Sequence, residues 1–154
     1  MQSKLLSSGF TLAEMLVTLA VFCILALLAY PAYTSYINNA RLKEAQGILI
    51  GNARFMAQFY TQHRSFKQTS TTWPELPVSA THHFCIKPQG NARGANTEKF
   101  TLKAVALDKT QESRVVKINE AHQIIVCESS SSVCDDSAFF SAANGTDKQC
   151  TVVH

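Results

Sequence analysis

The pattern of apolar positions changes twice along the chain. From Phe10 to Ala32 the segment "FTLAEMLVTLAVFCILALLAYPA" is almost wholly apolar. As a helix rising about 1.5 Å per residue it reaches roughly 34 Å, enough to cross a bilayer. After Pro31 the apolar positions become periodic. Leu42, Ala45, Leu49, Ala53, Met56 and Tyr60 recur at intervals of three and four, which is one face of a long helix. Lys43, Glu44, Gln46, Arg54 and Gln58 fall mostly off that stripe. Gly47 and Gly51 either permit a close helix contact or are weak points, each costing about 1 kcal/mol relative to alanine. The helix is expected to end between His63 and Ser65. "KQTSTTWPELPVSATH" then reads as a loop, with Trp73 either plugging the core or standing exposed.

Beyond that loop the period falls to two, the signature of half-buried strands. Four strands are expected, over His82–Lys87, Lys99–Leu107, Arg114–Asn119 and His122–Glu128. "GNARG" and "DKTQES" connect the first three, and Glu120–Ala121 makes a tight turn. The fold class is therefore α+β, a long N-terminal helix packed on a four-stranded antiparallel sheet. After Cys127 the alternation stops, and "ESSSSVCDDSAFFSAANGTDKQCTVVH" is serine-rich and punctuated.

Alternation also assigns faces. Phe84, Ile86, Phe100, Leu102, Ala104, Ala106, Val116, Ile118, Ile124 and Val126 should meet the helix. Cys85, Lys87, Lys103, Lys117 and Cys127 then face outward, with no carboxylate at the strand centres. Three lysines on neighbouring strands would lie roughly 5–10 Å apart on one solvent face. They could be solubilising charges on a wet sheet. Sharing a face without a counter-charge, with Arg93 in the adjacent loop, they also suit a phosphate backbone. "GNARG" is not a P-loop, because it lacks the GK[ST] element and a following helix.

Composition narrows the choices. The chain has 154 residues, 46% hydrophobic and 16% charged, which suits one modest globular core. The net charge of +3 is mild, so an anion site must arise from local clustering. Of five cysteines, Cys23 lies in the apolar run and four lie beyond it. An even set downstream of a membrane-targeting segment reads as two disulfides. Three pairings are open. Cys85–Cys134 with Cys127–Cys150 is favoured because each bond joins a sheet position to the C-terminal excursion, whereas Cys127–Cys134 closes only a short loop. No CxxC pair supports a zinc site built with His82 and His83. His63, His82, His83, His122 and His154 show no motif spacing, and Asp135–Asp136 reads as a solvated acidic turn. The expectation is no enzyme, no cofactor, no metal and no small-molecule substrate.

The short start "MQSKLLSSG" places its small residues before the apolar run, so cleavage after Gly9 would keep the membrane helix. Glu14 is the anomaly in that helix, since a carboxylate at mid-bilayer depth costs on the order of 3 kcal/mol. It sits at the interface, or it pairs with the freed α-amine of Phe10 on a neighbouring subunit. "GFTLAEML" resembles the processing motif of type IV pilins. That resemblance implies a prepilin peptidase cutting after Gly9, N-methylation of Phe10, and assembly with other pilin subunits guided by Glu14. It also implies a disulfide-bounded C-terminal region and a helix that bends or melts near Pro31. The expected domains are 1–9 as leader, 10–32 as transmembrane and assembly segment, and 33–154 as globular pilin domain. The expected location is a single pass through the inner membrane before assembly, then the pilus at the cell surface.

The soluble half is similar to a narrower group, the competence pilins. The segments that carry this are "NARFMAQFY", "RSFKQTSTTWPELP", "FCIKPQGNARGA" and "KFTLKAVALDK", with the spacing of the four distal cysteines. The resemblance implies a minor pilin that receives double-stranded DNA in natural transformation, through an electropositive stripe and with preference for a short uptake sequence. The stripe falls on Lys87, Lys103 and Lys117. Lys87 departs from an expected arginine and lacks the bidentate fork. Lysines on a sheet hold phosphate and do not read sequence. Base readers are therefore sought in the loops, at Gln68, Thr69 and Ser70, at Gln89, Asn91 and Arg93, and at Asn144, Thr146 and Lys148. The competing expectation is a structural or adhesive minor pilin without specific DNA binding.

Overall fold

The computed structural model describes residues 11–134 and 146–153. Its elements are α1 (Leu12–His63), β1 (Phe84–Pro88), β2 (Thr101–Ala106), β3 (Val115–Asn119), β4 (Ile124–Ser130) and β5 (Asp147–Val153). The chain divides into two compact units, Met1–Ile37 and Asn38–His154.

In the first unit α1 opens on a capping box. The Thr11 N–H and hydroxyl each donate to Glu14 Oε2 at 2.9 Å, and the Glu14 N–H donates to Thr11 Oγ1 at 3.3 Å. A threonine at the cap and a glutamate three residues on satisfy amides that the first helical turn leaves without partners. Glu14 thus has a role within its own subunit. The following turns expose Leu12, Met15, Leu16, Leu19 and Phe22. An 18-residue window of α1 has a mean hydropathy of 2.5 and none of it is buried. The helix is continuous through Pro31, whose carbonyl accepts from the Thr34 hydroxyl at 3.0 Å. Of the two expectations at Pro31, a bend or melting, the helix does not melt there. Gly9 and Phe10 lie outside the described residues.

In the second unit the expected stripe of α1 is buried. Leu42, Ala45, Leu49, Ala53 and Met56 pack on Phe84, Ile86, Phe100, Leu102, Ala104, Ala106, Val116, Ile118 and Val126. Two polar residues join this face against the expected pattern, Gln46 and Asn52. Asn52 donates to the Val78 carbonyl at 2.7 Å and accepts from the Val78 N–H at 3.3 Å, so it pins the loop to the helix. Gly47 and Gly51 have nothing within 4 Å of the site a Cβ would take, so neither serves a close contact inside this subunit. The helix stops at His63 because Arg64 turns into the left-handed region at φ 55° while its N–H bonds the Tyr60 carbonyl at 2.8 Å. Around the first turns of this unit the β2–β3 loop is clamped to α1. Asn38 donates to the Gln111 carbonyl, Arg41 to Gln111 Oε1, and Arg114 both to Asn39 and, twice, to the Glu112 carboxylate. The bonds to Glu112 raise the Arg114 pKa above the ordinary guanidinium value.

The sheet is antiparallel in the order β1-β2-β3-β4-β5. Among the described residues it has five strands rather than the expected four. The added strand, "DKQCTVV", is mostly exposed, so it carries no buried apolar face to announce it. Pairing with β4 holds it, with Cys127 opposite Cys150. The disulfides are Cys85–Cys134 and Cys127–Cys150. The outer edge of β1 is met by the incoming loop, through the bridge between Ala80 and Cys85 and the bond from the Ile86 N–H to the Ser79 carbonyl.

Candidate functional site

The register turns the expected lysine stripe into a straight row. Lys87 lies opposite Lys103 across β1 and β2, and Lys103 lies opposite Lys117 across β2 and β3. All three leave the face away from α1. Cys85, Val105, Val115 and Cys127 form a second small core on that same face, with Ile125 and Cys134 packed against it. The face is therefore covered, and the expectation of a solvated stripe is corrected by what covers it.

Lys103 is 0% exposed. Its Nζ donates to Ser132 Oγ and lies 2.6 Å from Asp147 Oδ1. Lys117 Nζ lies 3.0 Å from Asp147 Oδ2, with 14% of its side chain exposed. One carboxylate thus spans two lysines, and its Oδ1 also accepts from the Ser130 hydroxyl. Lys87 Nζ donates to the Cys134 carbonyl at 2.7 Å. Burial lowers the Lys103 pKa, and the hydrogen bond and charge of Asp147 push back. For Asp147, burial acts to raise the pKa, but bonds from Lys103, Ser130 and Lys117 outweigh it and the net shift is downward. A fourth lysine, Lys109, has its pKa lowered first by burial and next by the charge of Lys103.

Asp147, Ser130 and Ser132 are the residues that sequence reasoning missed. Alternation gave no signal for Asp147: three residues from Cys150 it would take the opposite face, and the backbone turns left-handed between them at Gln149, φ 52°. Parity gave the direction of each side chain but carried no information about what lay above it.

The expected base readers divide into two groups. Around the β1–β2 connection, the Trp73 indole N–H donates to the Gly90 carbonyl at 3.0 Å, and Trp73 packs partly on the core. Lys67 Nζ bonds the Ala95 and Ala92 carbonyls, and the Phe66 N–H bonds the Thr97 carbonyl. These bonds join the loop after α1 to the "PQGNARG" loop as one surface. Gly90 and Gly94 give that loop its turns, at φ 82° and 79°. Gln68, Thr69, Ser70, Asn91 and Arg93 are exposed on it, and Gln89 is half-buried. The second group is at the start of β5. Exposed Lys148 and half-buried Thr146 line a shallow hollow with Ser129, Ser130 and Ser131. Asn144 lies outside the described residues.

A long N-terminal helix on an antiparallel sheet, with the prokaryotic N-terminal methylation motif matched over residues 5–30, is the architecture of a type IV pilin. Within that class the chain belongs to the family described as type IV minor pilin ComP, DNA uptake sequence receptor, which matches residues 31–127. The solution structure of the minor DNA-uptake pilin ComP from Neisseria subflava is 44% identical, covers 75% of this chain and 96% of that one, and superposes with a TM-score of 0.58. The fold of the type IV pilin ComP from Neisseria meningitidis is 40% identical, covers 78% and 99%, and gives 0.53. A type IV major pilin protein PilE1 of Neisseria gonorrhoeae is 35% identical over 75 residues, 49% of this chain and 41% of that protein. The chain thus spans about four tenths of the length of that major pilin.

Proposed function

We propose that this minor pilin is a DNA receptor of natural transformation and holds duplex DNA against the covered side of its sheet, with preference for a short uptake sequence. The observation that carries the reading is the row of Lys87, Lys103 and Lys117 in direct register, with exposed Arg93 on a flanking loop and exposed Lys148 near the start of β5. The roles within the set differ. Lys87, Lys117 and Lys148 meet phosphate, with the sequence-independent attraction of cations for the backbone. Lys103, fully buried, acts from beneath by fixing Ser132 and Asp147. Base edges fall to Gln89, Asn91 and Arg93, on a loop that its bonds to Trp73 and Lys67 hold to the loop after α1. Family membership supports the class of ligand, since both solved relatives are ComP pilins and one is described as a DNA-uptake pilin.

The same reading extends to the first unit. Prepilin peptidase cuts after Gly9, Phe10 is methylated, residues 10–32 cross the inner membrane once before assembly, and Glu14 sets the register against other subunits in the pilus.

The test uses the full chain in detergent. Duplex affinity is measured against salt for the unsubstituted protein and for a variant carrying Lys87→Gln and Lys117→Gln. Losing two phosphate contacts lowers the log–log salt slope by about 2. An unchanged slope in a folded variant overturns the assignment of the row. A structural pilin with solubilising lysines retains no DNA at moderate salt in either form.

A further inference from the structure

We infer that Asp147 is a built-in counter-ion that occupies the phosphate position on Lys117, so that duplex binding exchanges a carboxylate for a phosphate on that lysine while Lys103 keeps its partner. This deepens the duplex-binding reading above and rests on it. Three observations carry it. Asp147 presents its two oxygens separately, Oδ1 to Lys103 at 2.6 Å and Oδ2 to Lys117 at 3.0 Å. A phosphodiester offers the same two-oxygen fork and the same single negative charge. The two lysines are unequal in access. Lys103 is fully buried and has a second acceptor in Ser132, whereas Lys117 keeps part of its side chain in solvent. The Oδ1 edge is held by Ser130 and Lys103 together, so Asp147 stays in place when Lys117 swings outward. The Cys127–Cys150 bond, three residues along β5, keeps the carboxylate over the row.

Asp147 then acts as a specificity and positioning residue. It holds Lys117 in one rotamer and taxes every anion that would take it, so only a ligand with several phosphates in line gains from the exchange. A single phosphate gains too little, because it replaces one good ion pair with another.

The experiment compares the full chain in detergent with its Asp147→Asn variant, which keeps the Oδ1 acceptor for Lys103 and removes the charge. With the counter-ion gone, the salt slope for a duplex steepens by about 0.9, which alone is about eightfold in affinity between 1 M and 0.1 M salt. Inorganic phosphate is expected to compete with the duplex on the variant and not on the unsubstituted protein. A folded variant with an unchanged or shallower slope overturns the inference. If the unsubstituted protein itself retains no duplex, the parent reading fails instead. A second measurement needs no substitution. The side-chain carboxyl carbon of Asp147 and the Lys117 ammonium are followed by NMR as a duplex is added to the unsubstituted protein. Both signals are expected to move while the Lys103 ammonium stays. Movement of none of them, at saturating duplex, overturns the exchange.

Discussion

Lys103 and Arg93 are both cations between Phe84 and Val105, and their surroundings give them opposite work. Lys103 is sealed under Ser132 and Asp147. Truncating it to alanine opens a cavity and strips Asp147 of its nearer cation. The expected loss in a urea unfolding experiment is about 3 kcal/mol. Arg93 stands exposed on a loop. Arg93→Ala should leave the urea midpoint unchanged and weaken the duplex complex, most for duplexes carrying the preferred sequence. Asn52 tests the polar interior. Asn52→Ala leaves the Val78 N–H and carbonyl without their buried partner, at a cost of about 1–3 kcal/mol in the same experiment. At this scale the sequence was legible in one respect. Alternation along β1, β2 and β3 assigned the face of Lys87, Lys103 and Lys117, because side-chain direction is a local property of a strand. Coverage is not local. The seal on Lys103 comes from residues 132 and 147, which lie 29 and 44 positions away.

At the scale of the elements, β5 is an edge strand exposed along most of its length, held by β4, one disulfide, Asp147 and the contact of Val153 with the core. The Asp147 pKa is lower in the fold than in the unfolded chain, so its contribution is complete above the unfolded value of about 3.9 and disappears as the pH falls through the lowered one. Amide exchange of β5 should accelerate in that acid window before that of β2 and β3, and Asp147→Asn should remove the step. Replacing Cys127 and Cys150 together by serine should cost about 2–4 kcal/mol and release β5 amides first. The same features explain what pattern reading caught and lost. The stripe from Leu42 to Met56 has to face a core, so periodicity exposed it, and so did the strands that meet it. Strand β5 offers the core only partly buried Val153. Its only advertisement was Cys150, and a cysteine announces a bond without announcing a strand. Gln46 and Asn52 were invisible for the converse reason, being polar residues on a face defined by apolar ones.

For the whole molecule, membership of the pilin family was legible from eight residues, "GFTLAEML", and the narrower family from segments spread over the globular unit. The two units are marked by opposite surfaces. The apolar side chains of Leu12–Tyr36 point outward along α1, whereas those of the second unit turn in toward one core. Under the proposed processing, intact mass of the protein recovered from pili should show a chain beginning at Phe10 with one added methyl group. A chain retaining residues 1–9 would contradict it.

The capping box gives the first unit a further consequence. Glu14 already satisfies the Thr11 amide and hydroxyl of its own chain. Before assembly, Glu14 is therefore not a naked acid in search of a mate. If Glu14 later turns to another subunit's amine, it must let go of Thr11, so joining the filament becomes a swap between two complete arrangements. Patience before assembly would then be written into the threonine. Thr11→Val, which cannot return the bond from its side chain, should shorten the wait.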